Sequence, residues 1–142
     1  MSGIIVVGVD GSPTARKAAE TALELATALD ATLHVVSAFD SDRSEVFGSG
    51  SSKWLLSDED KADHVARSVA DTLGGNIEIT HASASGRPAD ALIREAIRKE
   101  ATIIVVGNRR MHGIGRVLGS VANSVAHNAP CDVYIANTYD SE

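Results

Sequence analysis

Residues 4–13 read IIVVGVDGSP, and this stretch carries the two signals that decide the fold. Its first six positions are β-branched residues with one glycine, which is typical of a strand buried on both faces of a sheet. The turn residues Asp10 and Gly11 end the strand. Ser12 then suits a helix N-cap and Pro13 the first helical position, so we predict a helix directly after the strand.

The same alternation of strand and helix continues along the chain. Strand-like apolar runs recur at residues 33–38, 77–84, 103–106 and 133–136, and helical patterns lie between them over residues 13–29, 57–73, 89–99 and 119–128. Strands that alternate with helices build a parallel sheet covered by helices on both faces. Such sheets bind ligands outside the carboxyl ends of their strands, where the strand order reverses.

The serine-rich stretch from Phe39 to Trp54 has no clear period, and we predict no regular element there. Loops of this length are usually functional covers or disordered segments. Trp54, Leu55 and Leu56 at its end have two interpretations. They either fold over a ligand cleft as a lid or anchor the helix that follows.

Composition narrows the class of protein. The chain has 142 residues, a formal net charge of −6 and 44% hydrophobic residues, which fits one domain over residues 1–142 and argues against bulk nucleic-acid binding. Its apolar runs are far shorter than the roughly 20 residues of a membrane helix, so no membrane association is expected. No secretory signal is visible and Cys131 is the single cysteine, so we expect a cytoplasmic protein.

Residues 107–120 read GNRRMHGIGRVLGS and are the strongest candidate for a binding loop. The loop joins a buried strand to a helix N-terminus, where backbone N–H groups and the helix dipole favour an anion. Its glycines allow close approach of a ligand and its arginines suit phosphate. No lysine stands at the P-loop spacing, and Leu118 occupies the third glycine position of a dinucleotide fingerprint, so the sequence favours neither motif.

Two further groups of residues have alternative interpretations. Asp10 at the end of the first strand either accepts hydrogen bonds from a ligand or shapes the turn. The histidines have no metal-ligand spacing, so no metal site of their own is predicted; they are His34, His64, His81, His112 and His127. No serine is paired with a histidine in a pattern typical of a nucleophile, and no general base is marked.

Three segments together resemble the universal stress protein family: VVGVDGS at residues 6–12, GSV at 119–121 and APCDV at 129–133. The resemblance implies a single open five-stranded parallel sheet of order 3-2-1-4-5, of the adenine nucleotide alpha hydrolase-like type. It also implies a stress-response protein that binds ATP with Mg²⁺ and acts by switching conformation or partner, with at most slow ATPase activity. A homodimer is implied through the fifth strand, over Val133, Tyr134, Ile135 and Ala136, together with a possible protein partner.

The family's site residues can be carried over position by position. In ATP-binding members the first-strand aspartate contacts the adenosine half, a backbone position in strand two meets the adenine, and the glycine loop wraps the phosphates. The implied nucleotide-binding residues are Gly8, Asp10, Gly11, Ser12, Val36, Gly107, Asn108, Arg109, Arg110, Gly113, Arg116, Gly119, Ser120 and Val121. No catalytic residue and no protein metal ligand is implied.

The loop departs from the family's ATP pattern of Gly, two residues, Gly, nine residues and Gly-Ser. Arg110 stands where the second glycine is expected, and only residues 111–118 separate it from Gly119. A hydrogen bond from an arginine to phosphate contributes about 1.5–3 kcal/mol, so Arg109 or Arg110 can offset the lost glycine. We therefore expect nucleotide binding with altered phosphate geometry. The alternatives are a dimeric interaction module without ATP and a cyclic AMP binder.

Overall fold

The structure is a computed structural model that describes residues 3–40, 44–47, 54–108 and 118–138. In chain order its elements are β1 (Ile4–Gly8), α1 (Pro13–Leu29), β2 (Thr32–Phe39), β3 (Ser44–Phe47), β4 (Trp54–Ser57), α2 (Asp58–Leu73), β5 (Ile79–Ser85), α3 (Pro88–Lys99), β6 (Ile103–Asn108), α4 (Ser120–Asn128) and β7 (Asp132–Asn137).

The main sheet has five parallel strands in the order β5-β2-β1-β6-β7. Numbered among themselves along the chain, these strands have the order 3-2-1-4-5, which confirms the predicted topology. The chain builds outward from β1 through β2 to β5 and then returns to place β6 on the other side of β1. The strand order therefore reverses between β1 and β6, where a ligand cleft is expected.

Helices cover both faces of this sheet and enclose two cores. On one face, α1 and α2 bury Ala19, Ala22 and Ala66 against the first core. On the other face, α3 and α4 bury Ala96 and Val125 against the second. Most of the buried helix residues are alanines, and their small side chains let the helix axes approach the sheet closely. The predicted α/β class is confirmed.

The helix ends follow the predicted local chemistry. Ser12 is the N-cap of α1 and Pro13 is its first residue. Gly74 follows the last residue of α2 with a φ of +72°, a left-handed conformation that glycine adopts at little cost.

The segment between β2 and α2 differs from the prediction of no regular element. It contains an antiparallel hairpin in which β3 pairs with β4 and Phe47 lies opposite Trp54. The physical reason is strand propensity, because Val46, Phe47 and Trp54 are residue types that strands favour. Four residues are too few for alternation to stand out from surrounding serines. The choice between lid and helix anchor for Trp54 stays open, since residues 48–53 lie outside the described part.

Several element boundaries also shift by one or two residues relative to the sequence prediction. The third strand of the main sheet begins at Ile79 instead of residue 77, and Gly107 with Asn108 belongs to β6 instead of to the following loop. Within the described residues, no helix combines the length and apolar character that crossing a membrane requires.

Candidate functional site

A cavity of about 660 Å³ opens at the carboxyl ends of β1 and β6. This volume lies in the range of small-molecule sites. The structure brings many predicted site residues to its wall, namely Gly8, Asp10, Ser12, Val36, Gly107, Asn108, Gly119, Ser120 and Val121. The remaining predicted residues are placed differently. Gly11 does not line the cavity and instead forms the turn with a φ of +86°. Arg109, Arg110, Gly113 and Arg116 lie outside the described residues.

The N-terminus of α1 borders the cavity and is satisfied by side chains next to it. The Ser12 hydroxyl accepts a hydrogen bond from the Ala15 N–H at 3.2 Å and lies 3.1 Å from the Thr14 hydroxyl. Asp10 Oδ1 accepts from the Ser12 N–H at 2.9 Å. This end of the cavity therefore presents an exposed carboxylate and two hydroxyls.

The N-terminus of α4 faces the same cavity and is capped differently. Its N-cap is Gly119, which has no side chain to offer, and its first turn contains no acidic residue. The Gly119 N–H donates to Asn108 Oδ1 at 3.0 Å. The next N–H groups belong to the cavity-lining Ser120, Val121 and Ala122, and helix geometry gives them no intrahelical acceptor. This end of the cavity favours an anion.

Two glycines keep the strand ends free of side chains at the base of the cavity. A Cβ on Gly8 would lie 2.9 Å from Leu92 Cδ1, and a Cβ on Gly107 would lie 3.0 Å from Thr138 Cγ2. The first distance is shorter than real Cβ contacts, and the second is tighter than most of them. Leu92 and Thr138 themselves line the cavity. A larger residue at either strand end would therefore have to displace Leu92 or Thr138, and glycine avoids that displacement.

The third wall is apolar and belongs to β2 and α3. It contains Val36, Ala38, Pro88 and Leu92. The Val36 carbonyl accepts a hydrogen bond from the Val9 N–H at 2.8 Å, so this backbone group already pairs with the end of β1. Ala38 follows Val36 by two residues, so its backbone groups point to the same side of β2. At that level β1 has already ended.

A buried polar network lies one layer below this apolar wall. His34 precedes Val36 by two residues on the same face of β2, and Glu95 follows Leu92 by one turn of α3. His34 Nε2 lies 3.0 Å from Glu95 Oε1 and its Nδ1 lies 2.6 Å from Thr80 Oγ1. Arg98 also donates to Glu95. The network ties together β2, β5 and α3, which carry or support the wall.

Burial sets the protonation of this network. Burial lowers the pKa of His34 below its ordinary value, although the hydrogen bond and charge of Glu95 oppose the effect; Lys99 and Arg98 add to the lowering. Burial alone would raise the pKa of Glu95, but hydrogen bonds from Arg98 and His34 outweigh it and the pKa falls below its ordinary value. At neutral pH the network therefore consists of a neutral imidazole on a carboxylate, with Nε2 donating to Glu95.

Sequence reasoning missed Thr138, Leu92 and the His34–Glu95 pair. A histidine inside an apolar strand run and a glutamate at an inward helical position, three residues after Leu92, were the available signals. Thr138 had none, because it reaches the cavity only through the pairing of β7 with β6.

The described residues contain no cluster of three or more His, Cys, Asp and Glu that could hold a metal ion. Asp10 is the carboxylate that lines the cavity. Burial, with Asp132 adding to it, raises the pKa of the Cys131 thiol, so this partly buried cysteine is a protonated thiol at neutral pH.

Comparison with known proteins gives one consistent result. The model of the universal stress protein family matches residues 1–137. Universal stress protein Rv1636 of Mycobacterium tuberculosis is 32% identical over 94% of this chain and 95% of its own length. A universal stress protein of Thermus aquaticus is 33% identical over 92% of this chain and 96% of its own. A universal stress protein solved in complex with cAMP is 29% identical, with a TM-score of 0.72 over 96% of this chain and 98% of that one.

Proposed function

Because this chain belongs to the universal stress protein family, we propose that its cleft binds an adenine nucleotide, with ATP as the ligand. The observation that carries the proposal is the pairing of two unlike helix N-termini across one cavity. The N-terminus of α4 is open to an anion, and that of α1 is closed by Ser12 and carries the Asp10 carboxylate. A nucleotide has the matching polarity, with an anionic end and a hydroxyl-bearing neutral end.

The phosphates belong at the α4 end. The N–H groups of Ser120, Val121 and Ala122 point along the helix axis toward the cavity, and no acidic residue in the first turn would repel an anion there. The Ser120 hydroxyl adds a donor. We assign to the same phosphates four residues of the predicted loop, namely Arg109, Arg110, Gly113 and Arg116.

The nucleoside belongs at the α1 end and along the apolar wall. Asp10 Oδ2 makes no hydrogen bond within the described part of the chain, and it can accept from a ribose hydroxyl. The adenine would then lie against Val36, Ala38, Pro88 and Leu92. The backbone of Ala38, past the end of β1, can read the edge of the base.

A magnesium ion fits this arrangement only when it arrives on the nucleotide. Mg²⁺ is commonly held by one or two carboxylates, substrate phosphates and water. The oxygen donors on the cavity wall include the Asp10 carboxylate and the hydroxyls of Ser12, Thr14 and Ser120. When bound, the ion would neutralise phosphate charge; the residues of this chain would hold the nucleotide around it.

The proposed action is regulatory. The described cavity places no histidine beside a hydroxyl and no general base beside the phosphate end. Binding that joins the ends of β1 and β6 to the N-terminus of α4 favours the ligand-bound arrangement over the empty one. The proposed output is a change in conformation or partner, with at most slow ATP hydrolysis.

Cyclic AMP is a second candidate ligand, favoured by the 29% identical relative that was solved in complex with cAMP. Its single phosphate would need fewer donors than ATP and would suit a shortened loop. A dimeric interaction module without nucleotide is the third candidate, favoured by Arg110 at the position of the family's second glycine.

We further propose a homodimer through β7, which is an edge strand that pairs with β6 alone among the described strands. Tyr134 is 45% exposed there, and Val133 and Ile135 are half-buried. An unprotected apolar edge invites pairing with a second chain. Light scattering should give the mass of a dimer for the unmodified protein and of a monomer for Tyr134→Lys.

The experiment that decides among these candidates is mass spectrometry of the small molecule released when the purified protein is denatured, followed by thermal shift with ATP, AMP, cyclic AMP and adenosine. A ligand at 100 times its Kd stabilises the fold by about 2.7 kcal/mol. Release of ATP, or a shift largest with ATP, supports the first candidate, and a shift with cyclic AMP alone supports the second. No ligand and no shift would leave the interaction module.

A further inference from the structure

The side chain of Asn108 joins the end of β6 to the start of α4. Asn108 is the last residue of β6, and its Oδ1 accepts a hydrogen bond at 3.0 Å from the N–H of Gly119, the N-cap of α4. The two residues are eleven positions apart, and Asn108 is only 4% exposed. This bond is the described link between the carboxyl end of β6 and the open helix N-terminus.

The anchor on the strand side is part of the sheet. Asn108 pairs with Asn137 in the register of β6 and β7, and its carbonyl accepts from the Thr138 N–H at 3.4 Å. Thr138 is 2% exposed and packs against Gly107. Pairing with β7 thus holds the backbone of Asn108 in place. The hydrogen bond from the Gly119 N–H to the Asn108 side chain then fixes the start of α4 relative to that backbone.

The contact also leaves little space for a side chain at the helix end. A Cβ added to Gly119 would lie 3.3 Å from Asn108 Oδ1, which is tighter than most Cβ contacts. With the Gly119 N–H occupied by the amide oxygen, the donors left for an anion are those of Ser120 and the two residues after it. Their direction depends on where Asn108 holds the first residue of the turn.

We propose that Asn108 is a positioning residue for the phosphate end of the site, acting through Gly119 instead of contacting the ligand with its amide oxygen. The inference rests on the proposed function and refines it, since sequence comparison had grouped Asn108 with the residues that contact the nucleotide. An amide suits the role because it supplies an acceptor without negative charge. An aspartate would accept the same N–H but place a charge beside the phosphates.

The test compares binding of ATP, AMP and adenosine by calorimetry in Asn108→Ala, Asn108→Asp and a matched control, Asn128→Ala. Asn128 lies at the other end of α4, where its Nδ2 donates to the Ser124 carbonyl at 2.9 Å on the exposed surface. Asn108→Ala should weaken ATP about tenfold and leave adenosine within about twofold. Asn108→Asp should weaken ATP more than AMP and AMP more than adenosine. Asn128→Ala should change none of the three.

The outcomes separate this inference from the proposed function. If the unmodified protein binds neither ATP nor adenosine, the proposed function fails, and a positioning role for phosphate fails with it. If the unmodified protein binds both and Asn108→Ala weakens both equally, or neither, only the positioning role is overturned. Amide hydrogen exchange gives a readout without ligand: exchange at the Gly119 amide should rise in Asn108→Ala and should match the unmodified protein in Asn108→Asp and in Asn128→Ala. Unchanged exchange in Asn108→Ala would also overturn the inference.

Discussion

The N-termini of α1 and α4 enter the same cavity from neighbouring strand ends, yet they differ in what they offer a ligand. At α1 the Ser12 hydroxyl accepts the Ala15 N–H, and Asp10 accepts the Ser12 N–H. At α4 the N-cap is Gly119, and no side chain caps the first turn. Nearby side chains therefore accept hydrogen bonds from the N–H groups at the start of α1, whereas the N–H groups in the first turn of α4 remain available to a ligand.

The difference shows that a helix N-terminus does not by itself attract an anion. The residues that cap it decide which end of the cleft suits an anion and which end suits a hydroxyl group. The first turn of α2 carries Asp58, Glu59 and Asp60, and that of α3 carries Asp90. The first turn of α4 has no acidic residue, and its donors line the cavity. An anion is therefore expected at α4, and a ligand's hydroxyl groups are expected at Asp10.

The strongest way to break this contrast is to add an acid at α4. Ser120→Asp should weaken ATP by about fivefold to several hundredfold, since like charges about 4 Å apart repel by roughly 1–4 kcal/mol near a protein surface. The fold should become no less stable, because an acid in the first turn favours the helix dipole. Calorimetry and thermal unfolding measure the two effects. Loss of adenosine binding to the same extent as ATP would contradict the assignment of phosphate to this end.

The opposite change is made at α1. Asp10→Asn keeps an acceptor for the Ser12 N–H but removes the charge, and it should weaken adenosine about tenfold. ATP should lose no more than adenosine, because removing the carboxylate also removes a repulsion from phosphate. Titration of both ligands checks the ratio. An ATP loss much larger than the adenosine loss would place the phosphates beside Asp10.

The capping contrast itself can be measured without ligand. Ser12→Ala removes the side chain that accepts from Ala15 and should cost about 1 kcal/mol of unfolding free energy. Ser12→Gly removes the same hydroxyl but introduces a residue that N-caps helices better than alanine does, and it should cost only a few tenths of a kcal/mol. Urea unfolding of both variants gives the comparison. No loss in Ser12→Ala would mean that the Ser12 side chain does not close the α1 terminus.

A smaller effect is expected from the buried network of His34 and Glu95, which lies one layer below the apolar wall. Because burial lowers the pKa of His34, the unfolded chain binds a proton more readily than the native one below the ordinary histidine value of about 6.5. Stability present above that pH should therefore fall as the pH drops through 6.5 toward the lowered native value. The lowered pKa of Glu95 adds a loss at more acidic pH.

His34→Gln keeps a donor for Glu95 and an acceptor for Thr80 but cannot titrate. Its melting temperature should change less than that of the unmodified protein between pH 7.5 and 5.5. His64→Gln, at an exposed position of α2, is the matched control and should follow the unmodified protein. Parallel curves for all three would show that His34 contributes nothing to acid sensitivity.

Local sequence chemistry predicted much of the fold because the decisive signals are local. The apolar run before Asp10 predicted the first strand, and the Ser12-Pro13 pair predicted the start of the first helix. Both elements are present in the structure. The strand order came from the family resemblance, since periodicity in one chain carries no information about which strands become neighbours. The hairpin of β3 and β4 was not predicted, because each strand has four residues and four residues are too few to show an alternating pattern.

The candidate site was predicted in outline and missed where it depends on three-dimensional packing. Asp10, Gly107 and Gly119 stand beside recognisable turn and loop signals. Thr138 and the His34–Glu95 pair meet their partners only after distant elements pack, so no local pattern marks them. The role of Asn108 depends on a bond to Gly119 that the linear spacing does not suggest.

The most direct test of the central claim is to follow backbone amide resonances by NMR while adding ATP and, separately, adenosine. We expect ATP to shift the amides of Ser120, Val121 and Ala122 strongly, and adenosine to leave them nearly unchanged. Both ligands should shift residues near Asp10 and Ala38. ATP that binds without moving the α4 amides, or that moves them no more than adenosine does, would contradict the assignment of phosphate to the open helix terminus.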